Sequence, residues 1–190
     1  MAKVKLAAGA FTYPKPVTLV GATVAGKPNF LAVAWMTRVN YSPPYLAVAV
    51  GKKHHTTRGV EEHGTFSVNL PGRDLVVPTD YVGIYSGAEV DKADVFDVFY
   101  GELGTAPMVE GCPLCAEYRV VQKVELPGDD VYVGEEVAAY ADEAVLVEGK
   151  PDIIAMDPFL LAMPAKEYVA LGEAFAKAWS VGERYKERAK

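Results

Sequence analysis

The sequence predicts a mainly β fold, a small antiparallel barrel with short helices on its flank and one C-terminal helix. About six segments have the β-branched composition or the alternating pattern of strands. The helical segments between them are few and short, and the chain has neither an internal repeat nor the strict strand-helix alternation of a doubly wound sheet. Its 190 residues, 51% of them hydrophobic, fit a single domain that spans residues 1–190.

The chain begins with a predicted hairpin. Residues 17–24 are rich in β-branched side chains, and residues 25–28 (Ala-Gly-Lys-Pro) are a turn signal. A second apolar run then covers residues 29–39. Because two such runs flank a short Gly-containing turn, we expect them to pair as antiparallel strands.

Two further strands enclose a short helix. Residues 45–50 alternate larger with smaller apolar side chains, and residues 65–70 alternate cleanly between apolar and polar ones. Between them, the sequence predicts a helix over residues 57–63, with Thr57 as its N-cap and Gly64 as the residue that ends it.

The second half predicts one long hairpin between helical segments. Residues 74–94 are irregular and predict short helices on the flank of the barrel. Residues 115–126 and 131–147 are β-rich, and the Pro-Gly-Asp-Asp sequence at 127–130 predicts the turn between them. Residues 165–186 have apolar side chains at helical spacing and predict a C-terminal amphipathic helix. Those side chains are Val169, Ala170, Phe175, Ala176 and Trp179.

Composition excludes several classes of function. The formal net charge is -6 with no basic block, which argues against a nucleic-acid partner. The sequence has no run of about 18 apolar residues, the length that a membrane-spanning helix requires. The apolar stretch after the first lysines is too short for a secretory signal. The sequence therefore predicts a soluble cytoplasmic protein.

Neither the cysteines nor the histidines predict a metal site. Cys112 and Cys115 form a single CxxC that leads into a strand, with no second pair and with the histidines about 50 residues or more away. His54 and His55 are adjacent on an extended segment, so they point in opposite directions, and we expect them in a solvated loop. The GxGxxG, P-loop, GxSxG and HExxH patterns are all absent.

Five segments in order resemble the flavin reductase-like FMN-binding proteins, over about residues 14–100. They are NFLAVAWMTRV (29–39), SPP (42–44), KHHT (53–56), FSVN (66–69), and Ser86-Gly87 with Asp91-Lys92. The resemblance implies a Greek-key, antiparallel split β-barrel that binds FMN near the interface of a homodimer. It also implies redox chemistry, with NAD(P)H as an electron donor.

The resemblance implies a set of cofactor-binding residues, and their chemistry suits FMN. The phosphate needs hydroxyl groups, N–H groups and positive charge, often at a helix N-terminus, and the ring needs an apolar wall with polar groups at one edge. Each residue also has a purely structural alternative: a core position for Trp35, a turn for Asn29 and a plain helix cap for Thr57. The set is Asn29, Trp35, Met36, Thr37, Arg38, Lys53, Thr56, Thr57, Asn69 and Lys92.

Three functions remain open from the sequence. The first is an FMN-dependent oxidoreductase that takes a hydride from NAD(P)H. The second is an electron-transfer protein that keeps its FMN and serves a redox protein partner, for which an acidic surface is suitable. The third is a non-catalytic barrel, since a fold does not fix a function.

Overall fold

A computed structural model of the chain describes residues 1–9, 14–163 and 165–185. The α-helices are α1 (His55–His63) and α2 (Val76–Ile84), and short 3-10 turns cover Arg73–Leu75, Glu143–Val145 and Val181–Glu183. The strands are β1 (Lys15–Pro16), β2 (Thr18–Val24), β3 (Lys27–Val33), β4 (Met36–Asn40), β5 (Tyr45–Gly51), β6 (Thr65–Leu70), β7 (Val98–Phe99), β8 (Met108–Val109), β9 (Leu114–Glu125), β10 (Asp129–Ala141), β11 (Leu146–Val147), β12 (Lys150–Pro151), β13 (Phe159–Ala162) and β14 (Glu167–Ala170).

Seven strands form the main sheet, in the order β3-β2-β6-β9-β10-β5-β4, and every pair is antiparallel. Its two edge strands, β3 and β4, are consecutive in the chain and are separated only by Ala34 and Trp35. The carbonyl of Trp35 accepts a hydrogen bond of 2.9 Å from the N–H of Ala49 on β5. The edges therefore meet at this link, and the predicted antiparallel barrel is confirmed.

The two predicted hairpins are also confirmed. Ala25 and Gly26 both have positive φ angles, 50° and 77°, which suits a tight two-residue turn between β2 and β3. The predicted run over 29–39 is wrong in one respect, because it breaks at residues 34–35, where the chain passes from one edge of the sheet to the other. Likewise β10 ends at Ala141 instead of continuing to 147.

The apolar core has two parts because strand side chains alternate between the faces of the sheet. Val20, Phe66 and Tyr118 belong to the cluster inside the barrel, where the Phe66 and Tyr118 rings stack with their centroids 5.2 Å apart. Leu19 and Val82 belong to a second cluster, between the outer face of the sheet and α2. The buried thiols of Cys112 and Cys115 lie in this second cluster.

Helix α1 begins earlier than the sequence predicted. His54 is its N-cap and makes no capping bond with its side chain, so the prediction that Thr57 is the N-cap is wrong. Thr57 lies within the first turn instead, where its Oγ1 donates a 3.0 Å hydrogen bond to the carbonyl of Gly51. The predicted end at Gly64 is confirmed, with a left-handed φ of 64°.

The predicted C-terminal helix over 165–186 is wrong for the described residues 165–185, and Lys186 lies outside them. Residues Glu167–Ala170 form β14, which pairs with β13, and helical backbone begins only at the 3-10 turn Val181–Glu183. The Tyr168 ring packs edge-on against Phe159, 5.1 Å between centroids, which holds the segment extended. The helical spacing of its apolar residues therefore does not reflect a buried helix face.

Neither α1 nor α2, the α-helices of the described residues, has the length and apolar character that a membrane crossing requires.

Candidate functional site

Two cavities lie along β3, on either side of the start of α1. The first, the polar cavity, has a volume of about 270 Å³ and is lined by Lys27, Asn29, His55, Gly87, Asp91 and Lys92 among others. The second, the apolar cavity, has a volume of about 320 Å³ and is lined by Leu31, Val33, Trp35, Ala49, His54 and Met163 among others. Because adjacent histidines at the start of α1 reach different cavities, this helix terminus lies between them.

In the polar cavity, the side chain of Asn29 is held by α1. Asn29 is only 5% exposed, and its Nδ2 donates a 2.7 Å hydrogen bond to Oγ1 of Thr56, which is also buried. The bond joins β3 to the first turn of the helix. It leaves the carbonyl oxygen of the Asn29 amide available as an acceptor.

Lys92 brings a buried cation to the same cavity. Its ammonium donates hydrogen bonds to the carbonyls of Phe30 (3.0 Å) and Val82 (2.7 Å), near the end of α2. Burial lowers the pKa of Lys92 to about 8. An ammonium has three N–H donors, so one remains for a ligand after these two bonds.

Gly87 permits the close approach of the loop 86–92 to the cavity wall. A Cβ atom on Gly87 would stand 2.0 Å from Oδ1 of Asn29 and 3.0 Å from Cδ2 of His55. No other residue type fits there without moving the loop. The glycine therefore brings the backbone close to both polar side chains.

His55 is a candidate that the sequence analysis missed, because that analysis expected a solvated loop. It is the first residue of α1 and is partly buried, and its Nδ1 has no hydrogen-bond partner within the described structure. Burial lowers the pKa of His55, and the cations Arg58 and Lys92 lower it further. Only its position before the predicted helix could have indicated a role.

The apolar cavity is suited to a flat, largely apolar group. The indole of Trp35 is 45% exposed and forms part of its wall, together with aliphatic side chains of β3 and β5. His54, which is exposed, and Asp129 are polar side chains of its lining. Burial lowers the pKa of His54, as does the nearby charge of Lys92, whereas Asp129 has the opposite effect.

Strand β4 sends the predicted residues to two different faces. Trp35 and Thr37 line a hollow on the outer face with Ala47, Ala49 and Val131. Arg38 instead lines a hollow of about 230 Å³ at the mouth of the barrel, and Met36 reaches both hollows.

Arg38 therefore lies apart from the predicted residues at the two cavities. Its guanidinium donates to the carbonyls of Asn40 and Tyr41, both at 3.3 Å, and stands 5.1 Å from the centroid of the Tyr41 ring. Neither the polar nor the apolar cavity includes Arg38 in its lining. The alternation of side chains along β4 separates it from the other candidates.

Asn69 also lines neither of the two cavities, and its amide makes hydrogen bonds inside the fold. Its Nδ2 donates to the carbonyl of Leu19 and to Oγ of Ser67, and its Oδ1 accepts from the N–H of Val109, each at 3.0 Å. Asn69 has no exposed surface. It joins β2, β6 and β8, and both N–H donors of its amide are used within the fold.

Thr57 and Lys53 are also separated from the two cavities. The hydroxyl of Thr57 is used by its bond to Gly51. Lys53 is exposed in the turn before α1 and lines neither cavity. The structure thus brings together Asn29, Thr56 and Lys92 at the polar cavity and Trp35 at the apolar one.

The arrangement suits a ligand with one anionic end and one flat end. The polar cavity offers the cation of Lys92, the amide of Asn29 and the positive end of α1. Both volumes are near the lower end of the roughly 300–1,000 Å³ that small-molecule sites occupy. Within the described residues, no group of three or more His, Cys, Asp or Glu could hold a metal ion.

Comparison with known proteins identifies relatives across nearly the whole chain. The family model of the flavin reductase like domain matches residues 10–161. Flavoredoxin from Methanosarcina acetivorans is 48% identical with a TM-score of 0.95, covering 97% of this chain and 100% of that one. Flavoredoxin of Desulfovibrio vulgaris (Miyazaki F) is 36% identical with a TM-score of 0.85, covering 94% and 100%.

A third solved structure adds a named cofactor. The FMN-binding protein from Thermus thermophilus with bound 1-cyclohex-2-enone is 26% identical with a TM-score of 0.80, covering 93% of this chain and 98% of that one. These similarities confirm the predicted split-barrel fold.

Proposed function

The chain belongs to the flavin reductase-like domain family, and from that premise we propose that it binds FMN along β3 as a redox cofactor. The single observation that carries this proposal is the pair of cavities at the start of α1. One of them is polar and contains a buried lysine, and the other has an exposed indole in its wall. FMN has the matching shape, with a phosphate at one end and an isoalloxazine ring at the other.

In this proposal the polar cavity holds the phosphate and the ribityl chain. The Lys92 ammonium supplies charge through its remaining N–H, and the N-terminus of α1 adds its partial positive charge. Asn29, fixed by its bond to Thr56, presents its amide oxygen to a hydroxyl of the ligand. These groups are held by the fold, so little ordering entropy is lost on binding.

The apolar cavity then holds the ring. Trp35 provides a wall beside it, and the aliphatic side chains of β3 and β5 form the apolar part of the lining. When bound, the flavin supplies two-electron chemistry, since its ring can accept a hydride from a reduced nicotinamide. The protein's part is to position two rings face to face.

The relatives named flavoredoxin support a second candidate, an electron-transfer protein. In that case FMN stays bound and electrons pass to a protein partner instead of coming from NAD(P)H. The net charge of -6 would favour a basic partner by electrostatic steering. A cytoplasmic location remains part of both versions.

We also propose that the protein is a homodimer. In the single chain, Phe175 and Trp179 are 99% and 100% exposed, on the segment after β14. Burying a large apolar side chain contributes about 1.5–3 kcal/mol, so full exposure of two aromatic rings favours a partner surface. The outer hollow beside Trp35, with Ala47, Ala49 and Val131, offers an apolar surface of this kind.

An anaerobic reduction experiment tests the choice between these functions. The protein is loaded with FMN, and the visible absorbance of the flavin is followed after addition of NADH and then NADPH. Rapid bleaching with either donor is the result that the oxidoreductase proposal expects. Bound flavin that stays oxidised with both donors would overturn it and favour the electron-transfer candidate.

A further inference from the structure

We propose that His55 contacts the phosphate of the bound flavin nucleotide and makes the polar cavity select FMN over riboflavin. This inference rests on the proposed function and adds a specificity-determining residue to it. His55 was expected in a solvated loop, whereas the fold makes it a wall of the same cavity as Asn29 and Lys92.

The imidazole of His55 has an unpaired nitrogen. Nδ1 of His55 is buried and has no hydrogen-bond partner in the described part of the chain. Leaving a buried polar atom unpaired is unfavourable, so such an atom at a cavity wall indicates a missing partner.

The imidazole of His55 meets the cavity with one edge of its ring. The Cδ2 edge faces Gly87, which lines the cavity, at 3.0 Å from the position of a Cβ there. A half turn about the Cβ–Cγ bond exchanges Cδ2 with Nδ1 and brings that nitrogen to the cavity. A ligand acceptor in the cavity favours the orientation that directs the nitrogen to it.

The charges around the imidazole ring favour its neutral form until an anion binds. Arg58 on α1 and Lys92 in the loop 86–92 both disfavour a proton on His55, as does burial. Two carboxylates, Glu89 and Asp91, also line the cavity, and Asp91 is paired with Lys27. A phosphate placed among His55, Lys92 and the start of α1 adds negative charge beside the ring. It therefore opposes the effect of the two cations and favours the protonated imidazolium form of His55. The imidazolium would then donate a charged hydrogen bond to the phosphate.

His54 and His55 are adjacent but line different cavities, so loss of the His55 imidazole affects only the phosphate end of the ligand. His54 reaches the apolar cavity and His55 the polar one. Riboflavin keeps the ring and the ribityl chain but lacks the phosphate. Loss of the His55 imidazole therefore weakens FMN binding and leaves riboflavin binding in place.

The test compares dissociation constants for FMN and riboflavin by fluorescence quenching, at pH 6 and pH 8. The variants are His55→Leu and His55→Gln, with His63→Leu at the other end of α1 as the matched control. We expect His55→Leu to lose about tenfold or more in FMN affinity, as for a hydrogen bond to a charged group, with riboflavin changed less than about twofold. His55→Gln, which keeps a donor but no titratable charge, falls between.

The pH dependence separates a ligand contact from a packing role. As the pH falls from 8 to 6, FMN affinity of the wild type rises relative to that of His55→Gln, because only the wild type gains a proton on His55. The phosphate's own titration affects both proteins alike and cancels in this comparison. Equal losses for FMN and riboflavin, or unchanged FMN affinity in His55→Leu, would overturn the inference and leave the proposed function intact. A wild type that binds neither flavin would overturn the proposed function itself.

Discussion

Nδ2 of Asn29 on β3 donates a 2.7 Å hydrogen bond to Oγ1 of Thr56 in the first turn of α1, and both side chains are buried. This bond joins the barrel to the helix terminus where the polar and apolar cavities meet. The position of the helix relative to β3 therefore depends on a contact between residues that are 27 positions apart.

Thr56→Val tests this contact. Valine has nearly the shape of threonine but no acceptor, so the amide of Asn29 loses its buried partner. We expect the free energy of unfolding to fall by about 1–3 kcal/mol, measured by urea denaturation, together with weaker FMN binding. Thr37→Val is the control, since Thr37 is exposed and its hydroxyl lies 3.5 Å from its acceptor. Equal stability of the two variants would show that the bond does not contribute.

Gly87→Ala tests the close approach of the loop 86–92 to the cavity. The new Cβ would stand 2.0 Å from Oδ1 of Asn29, so the loop or the amide must move. FMN affinity should fall roughly tenfold or more, about 1.4 kcal/mol, in a fluorescence titration. Gly128→Ala is the matched control, because a Cβ at Gly128 meets nothing within 4 Å. A Gly87→Ala protein with wild-type affinity would show that the ligand does not use this wall.

Lys92 predicts a pH dependence of FMN binding. Its pKa is about 8 in the ligand-free protein because of burial, and a phosphate beside it would raise that value. Lys92 should therefore have no effect on the pH dependence of FMN affinity well below pH 8, where its amine is already protonated. The affinity should decline as the pH rises above 8, because the amine must then take up a proton when FMN binds. Lys92→Met should bind FMN more weakly and show no such decline between pH 8 and 9.5. If the wild type and Lys92→Met showed the same decline in FMN affinity above pH 8, the decline would come from a group other than Lys92.

The exposed segment after β14 predicts the behaviour of the dimer. The double variant Phe175→Ser, Trp179→Ser should shift sedimentation-velocity profiles from dimer toward monomer, because both rings lose the apolar area that a partner would cover. Val77→Ser, on the exposed side of α2, is the control and should leave the profile unchanged. A monomeric wild type would contradict the dimer directly.

Local signals were sufficient for much of the fold. The turn at residues 25–28 and the alternation over residues 65–70 depend on neighbours in sequence, and the strands they predict are present. The tail was misassigned because β14 is stabilised by pairing with β13 and by Phe159, which helical spacing does not reveal. Gly59 lies inside α1, where glycine is a poor helix former, because a Cβ there would stand 2.3 Å from the carbonyl oxygen of Thr23.

The candidate site shows the same limit. Asn29, Thr56 and Lys92 were predicted through a family resemblance, and the fold brings them to one cavity. Asn69, from the same predicted set, makes three internal hydrogen bonds that join strands remote in sequence, which no local pattern reveals. His55 was missed, because its contact with Gly87 spans 32 residues and only the folded chain creates it.

Flavin content after reconstitution tests the central claim most directly. The purified protein is incubated with excess FMN and desalted, and its flavin absorbance is compared with its protein concentration. We expect a yellow protein with close to one FMN per chain, and a clear loss of flavin in Lys92→Met. A colourless protein that quenches no FMN fluorescence at any concentration tested would contradict it.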